Sequence, residues 1–372
     1  MHKLVILAGL TALVAGCTPG SAEYDPGADS LRFAGEVNLR NIRQLTFGGN
    51  NAEAYWSFDD ELLVFQSDWS AINDQGCDQI FVMDPDAAAL DYRLVSTGKG
   101  RTTCGYFMPD GRVLYASTHG EHPECPESPA MQPGIYAWPI HDSYDIFGAK
   151  PDGTDPKILI GGPGYDAEAT VSPDGRYVVF TSTRSGDLDL WRFDVSTGDV
   201  LQLTDELGYD GGAFFSPDSK RIVWRASRPH GEAAGEYRRL LESGLVQPGA
   251  LNLYTADVDG SSVRQVTDLP GANWAPFFHP SGEKIIFASN HDSPPGGRPI
   301  FSLYMIGVHG DGLVRITWSD TFDAFPMFSF DGTRLVFASN RTVDRAPSRD
   351  TNIFVADWVE HPEPADLEFG HR

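Results

Sequence analysis

An all-β chain assembled from one repeated four-stranded unit is predicted by three observations. A turn tetrapeptide recurs six times, as SFDD at Ser57, MPDG at Met108, SPDG at Ser172, SPDS at Ser216, HPSG at His279 and SFDG at Ser329. Each copy runs into a short strand of largely apolar residues: ELLVF, RVLYA, RYVVF, RIVWR, KIIFA and RLVFA. A third strand then brings an aromatic into register, at Phe81, Phe147, Trp191, Tyr254, Tyr304 and Phe354. Glycine supplies positive φ in these turns and aspartate bonds its own backbone, so each copy reads as a hairpin with neighbouring strands. Four short antiparallel strands repeated six times make a six-bladed β-propeller.

The chain opens MHKLVILAGLTALVAGC, a basic start followed by an apolar run too short to span a bilayer but suited to a secretory signal. Its end, Val14-Ala15-Gly16-Cys17, resembles the lipobox of bacterial lipoproteins. That resemblance implies removal of residues 1–16 as a signal peptide and lipidation of Cys17, with Thr18 favouring the periplasmic side of the outer membrane in a Gram-negative cell. Residues 17–35, rich in Pro, Gly, Ser and Asp, read as a flexible tether.

Residues 36–359 form the propeller and 360–372 a tail. The last repeat has only three strands before the chain leaves it near Trp358, whereas an extra strand, NIRQLTF at 41–47, precedes the first full unit. Pairing this segment with TNIFVADW (351–358) closes the sixth blade and removes an open sheet edge.

The repeats differ mainly in one loop. Anchor-to-anchor spacing is shortest from Ser172 to Ser216, at 44 residues, and reaches 64 between Met108 and Ser172. Nearly all of the excess falls between the second and third strands, so the insertions gather on one face, whereas the other face carries tight turns such as DVDGSS and DVSTGD. At the start of each innermost strand, on the insertion face, stand Asn51, Thr102, Asp166, Asp210, Asn273 and Asp323. Two residues on come Glu53, Cys104, Glu168, Gly212, Ala275 and Phe325, and a column of Trp69, His119, Arg184, Arg228, His291 and Arg341 ends the second strands. A channel mouth ringed by Asp, Asn and Glu beneath long loops is therefore expected to bind a ligand, with the Arg and His column pairing in part with the carboxylates. Short polar side chains are also favoured at such strand starts for geometry alone.

With 28 basic and 52 acidic side chains the chain carries a net charge of −24, which opposes binding to nucleic acid or anionic lipid surfaces. Its aromatic content, 12%, excludes disorder for the body of the chain. After Cys17 three cysteines remain, Cys77, Cys104 and Cys125, enough for one disulfide and one free thiol. HGEHPEC (119–125) offers His119, His122 and Cys125 as metal ligands, but a fourth is missing for structural zinc. His119 is explained by its register in the column, and Cys125 is expected to be a disulfide half with Cys77 or Cys104 as its mate. No metal and no cofactor are expected.

The six in-register copies resemble the WD40-like repeats of TolB-type propellers over roughly residues 36–359. The resemblance implies the propeller fold; the N-terminal α/β domain of that pattern is expected to be missing. Neither a G-x-S-x-G elbow nor an H-E-x-x-H motif occurs. The expectation is a monomeric, lipid-anchored cell-envelope module, touching the membrane only through its lipid, that binds a protein, peptide or glycan at the channel mouth without catalysis. The alternative is a polysaccharide lyase or glycoside hydrolase at the same mouth, since Glu53, Glu168, His119, His291 and Arg184 are suited to proton transfer and to an anionic sugar.

Overall fold

In the computed structural model, residues 29–127, 129, 136–294, 296 and 298–362 are described. Cys17 and the signal lie outside them. The strands assemble into six four-stranded antiparallel sheets arranged as the blades of a propeller, as the repeats predict. The innermost strands of blades one to six are Asn51–Trp56, Thr102–Phe107, Asp166–Val171, Asp210–Phe215, Asn273–Phe278 and Asp323–Phe328.

The repeated turn owes its shape to one side-chain pair. In blade three Ser172 Oγ donates to Asp174 Oδ1 (2.6 Å) and accepts from the Tyr177 backbone N–H (2.9 Å), while Asp174 Oδ1 also accepts from Arg176 N (3.0 Å). The same Ser–Asp bond recurs at Ser57–Asp59, Ser216–Asp218 and Ser329–Asp331. Gly175 takes the left-handed φ of +71° that completes the turn. Between second and third strands the register aromatics pair directly: Phe65 opposite Phe81, Tyr115 opposite Phe147, Trp224 opposite Tyr254, Phe337 opposite Phe354. Apart from the half-buried Tyr254, these residues are buried and form part of the core.

Closure occurs as expected, with a shifted boundary. Leu39–Gln44, rather than 41–47, pairs with Asn352–Trp358 (Leu39 opposite Trp358, Gln44 opposite Phe354), and a bulge between Arg40 and Arg43 interrupts the ladder. Leu45 adds one backbone bond to Ile353 O, and Phe47 is exposed. A second correction concerns residues 29–35, expected to be the end of a flexible tether. They pack on blade six, with Leu31 and Arg32 buried and Phe33 under the Arg341 guanidinium.

The insertions of blades two and four are not plain loops. Blade four contributes an α-helix, Glu232–Glu242, that buries Ala234, Tyr237 and Leu240. Trp138–Pro139 of the blade-two insertion pairs with Leu245–Val246 of the blade-four insertion in a small antiparallel ribbon. The helix is tied down by a bond from the Tyr237 hydroxyl to Asp187 of blade three. Sequence reading missed both elements. No helix among the described residues is long and apolar enough to cross a membrane.

Candidate functional site

The ring at the strand starts is structural. Asn51, Thr102, Asp166, Asp210, Asn273 and Asp323 are each at most 1% exposed. Asn51 bonds the backbone of Gly48 and Thr351, and Asn273 that of Leu251, each also taking a serine hydroxyl, from Ser67 and Ser289. Asp166 accepts both bonds of Arg184 (2.8 and 2.7 Å). Asp210 accepts two from Arg228 and one from Trp224 Nε1, though burial pushes its carboxyl up to about 7. Asp323 meets Arg341 at 3.2 Å. The expected pairing of column with carboxylates thus holds for all three arginines. The expectation that this ring makes the mouth acidic is corrected: its charges are matched and walled off from solvent.

The column covers the register aromatics. Arg184 lies over Phe180 and Trp191, Arg228 over Tyr254, and Arg341 over Phe337 and Phe354. His119 stacks at 4.1 Å on Phe147 and His291 at 4.6 Å on Tyr304, each bonding its own strand-end serine. Burial lowers both histidines below their ordinary value, favouring the neutral imidazole. Arg341 has a second partner that sequence reading missed: Glu36 Oε1, at 3.0 Å, with all three side chains of the Glu36–Arg341–Asp323 triad sealed from solvent. Cys77 is bonded to Cys125 and Cys104 is free, which decides between the two candidate mates and removes Cys125 as a thiolate ligand.

Two residues into each innermost strand the ladder breaks at the same place in all six blades, by a register shift such as that between Ala52 and Tyr55. Glu53, Cys104, Glu168, Gly212, Ala275 and Phe325 occupy the bulge with φ between 49° and 59°. Left-handed backbone costs roughly 1–2 kcal/mol for a residue with a Cβ, and such bulges re-aim a side chain. Here they send it towards the propeller axis. Glu53 of blade one senses the charges of Glu168 in blade three and Arg225 in blade four.

Blade four solves this position differently. A Cβ on Gly212 would stand 1.7 Å from Arg225 Nη1, so the Arg225 guanidinium fills the space a sixth bulge side chain would take. Arg225 faces Gly211 in the ladder, where other blades carry Gln66, Ala116, Thr181, Ala288 and Ala338. The coupled exchange, glycine at the bulge and arginine across from it, was the sequence signal for this residue. Arg225 Nη2 bonds Glu168 Oε1 (2.9 Å) and the Tyr209 hydroxyl (2.5 Å), while Glu168 Oε2 accepts from Gly212 N (2.7 Å) and Thr181 (2.9 Å). Arg225 Nε is buried and unpartnered.

Glu53 is partly exposed along the axis yet surrounded by protein. Burial pushes its carboxyl up to about 7, against the pull of the Cys104 thiol and Arg225. Burial and the two glutamates hold the Cys104 thiol well above its ordinary value, which keeps it protonated and a poor nucleophile. The other half of the bowl is aromatic: Trp274 packs on Phe325 (4.8 Å) and on Trp138 (5.8 Å), which reaches over from the blade-two insertion to within 5.4 Å of Arg225.

The bowl has a floor. Tyr55 of blade one touches Phe214 of the opposite blade four at 5.3 Å, with Tyr106 and Phe277 completing the septum. The central channel is therefore two cups rather than a pore. The cup on the turn face is shallow and largely apolar, lined by Tyr106, Pro173, Pro217, Phe277, Pro280 and Phe330.

This geometry defines a propeller with a polar axial bowl on its insertion face. No family model matches the chain. An uncharacterized protein of Agrobacterium fabrum is 30% identical over 118 residues, 32% of this chain and 34% of that protein. The Tol-Pal system protein TolB of Wolinella succinogenes is 26% identical over 178 residues, 47% of this chain. The chain thus matches little more than a third of the length of these relatives (34% and 37%). An Agrobacterium tumefaciens structure assigned as a TolB superposes with a TM-score of 0.54 at 16% identity, covering 86% of this chain and 97% of that one. The chain is a TolB-like six-bladed β-propeller.

Proposed function

We propose that this protein is a cell-envelope binding module, anchored by a lipid on Cys17, that receives a protein or peptide segment in the bowl of its insertion face. The observation that carries this reading is the convergence of Glu53, Cys104, Glu168 and Arg225 on the axis opposite Trp138, Trp274 and Phe325. Such a surface pairs an aromatic wall with a few polar groups, the usual make-up of a recognition site. Likeness to TolB, a component of the Tol-Pal system, favours a protein partner and an envelope location. Capture from envelope extract with the wild type, Glu53→Gln and Phe325→Ser tests it. A partner retained by the wild type and lost from both variants is expected, and identical partner sets would sink the role of the bowl.

A second reading is an enzyme acting on an anionic sugar, favoured by one observation: Glu53 titrates near 7 beside a glutamate committed to Arg225. Carboxylates whose environments differ in this way suit acid and base roles. Turnover of any polyuronide or aryl glycoside that Glu53→Gln abolishes would replace the binding reading.

A further inference from the structure

We propose that the bowl holds a carboxylate of its partner segment on the free donors of Arg225 and the Glu53 carboxyl, with the apolar group beside it on the Trp274–Phe325 wall. This rests on the bowl being a recognition site and names the group it recognises.

The polar side chains of the bowl have spent their acceptors and kept donors. Glu168 Oε1 accepts from the Tyr209 hydroxyl and Arg225 Nη2, and Oε2 from Gly212 N and Thr181 Oγ1, so both oxygens are taken. Gln66, opposite Ala52 beside the blade-one bulge, spends its Oε1 on Thr103 Oγ1 (2.9 Å) and Cys104 N (3.2 Å). Arg225 is only half used. Both of its hydrogen bonds among the described residues leave from Nη2. Its Nε is buried without a partner, and Nη1 stands where a bulge side chain of blade four would project to the axis. The residue is 8% exposed, so water satisfies little of this capacity. An unpaired buried donor destabilises the empty bowl, and an acceptor from a ligand removes that cost.

A carboxylate matches these donors in charge and shape, because a guanidinium bonds it through charge-assisted hydrogen bonds. An ammonium group would find Glu53 but would also face the Arg225 guanidinium, which Glu53 already senses. The net charge of −24 repels an anion at long range, yet such repulsion fades over about 8 Å at physiological salt. Contacts within the bowl are screened much less. Trp138 lies 5.4 Å from the guanidinium and 5.8 Å from Trp274, so the aromatic wall adjoins the donors. That neighbourhood suits a carboxylate borne on an apolar group rather than on a sugar.

Glu53 completes the site as a donor. It is partly exposed on the axis, and burial pushes its carboxyl up to about 7. The Cys104 thiol and Arg225 pull it down, while Glu168 and Asp78 push it up. Tyr55 and Tyr144 also face it, with hydroxyls that burial keeps protonated. A bound carboxylate adds another negative charge, so the complex holds the Glu53 proton where the free protein has released it.

The test titrates five small probes into the full chain, read by ligand-observed NMR. N-acetylphenylalanine carries a terminal carboxylate, N-acetylaspartylphenylalaninamide a side-chain carboxylate, and N-acetylphenylalaninamide none; phenethylamine is a cation and glucuronate a carboxylate without an apolar neighbour. At pH 6 one of the first two should bind at least about tenfold tighter than the last three, and which one separates a chain terminus from an acidic side chain. Its affinity should fall about tenfold between pH 6 and 8 as Glu53 loses its proton. Glu53→Gln should bind it more weakly at pH 6 and equally at both pH values, because an amide N–H is a weaker donor to a carboxylate than a carboxyl O–H. Arg225→Gln combined with Glu168→Gln exchanges the buried ion pair for a neutral one and should lose the preference over the amide. If that double variant does not fold, the pH profiles of the wild type and Glu53→Gln decide. A preference kept by the double variant, tighter binding of the amine or glucuronate, an affinity flat or rising with pH, or no binding of either carboxylate peptide overturns the proposal. Capture from envelope extract answers separately: a partner lost from Phe325→Ser without any carboxylate preference here would keep the bowl as a recognition site and remove only its ligand group.

Discussion

At the residue scale the bowl concentrates the chemistry. Glu53 is pushed from 4.5 up to about 7, so between those values the folded protein keeps a proton that the unfolded chain has released. Its contribution to stability is whole below pH 4.5 and is lost as pH rises through 7. Partial contact with solvent reduces the effect to about 1–3 kcal/mol. In denaturant titrations across pH 4.5–8, Glu53→Gln should therefore match the wild type at the acid end and exceed it at the alkaline end. The difference between the two curves isolates Glu53 from Asp210, which also titrates near 7. At Gly212 an added Cβ meets Arg225 and strains a left-handed backbone. Gly212→Ala should displace the guanidinium from Glu168 and cost about 2–4 kcal/mol in urea unfolding. Cys104 should resist alkylation in the native protein and react only once it is unfolded.

At the scale of elements, two devices hold the insertion face and the closure. The Cys77–Cys125 bond joins blade one to the start of the blade-two insertion, which later supplies Trp138. Cys125→Ser should lower stability by about 2–4 kcal/mol, read by urea unfolding. Arg341 links the closing segment, through Glu36, to blade six, through Asp323. Arg341→Ala strands two buried carboxylates and should cost about 3–5 kcal/mol, whereas adding Glu36→Gln should recover part of the loss, as thermal unfolding would show. Blade boundaries were legible because the Ser–Asp turn is local chemistry, complete within six residues of sequence. The helix at Glu232–Glu242 was less so: Gly231 starts it without a side-chain cap. Its apolar face is answered by other loops of the same face.

At the scale of the whole molecule, closure is the cooperative event. The fourth strand of blade six comes from residues more than three hundred positions away from its partner, Leu39 opposite Trp358. Deleting residues 29–44 should leave that edge bare and yield aggregated chain on size-exclusion chromatography rather than a folded propeller missing one strand. The two cups also belong to this scale, since the floor between them exists only when opposite blades bring Tyr55 and Phe214 together.

Blade number, strand order, the presence of a closing strand, the insertion face and a partial pairing of the Arg and His column with the carboxylates all follow from the sequence, because a signal repeated six times reports its own register. Tertiary structure alone decided that the Asp/Asn ring is buried, that six bulges turn Glu53, Cys104 and Glu168 inward, that Cys125 takes Cys77, and that the channel is floored. Each of these depends on which side chains meet across the axis or between insertions, and those distances are set by the closed ring of blades, not by any local run of residues.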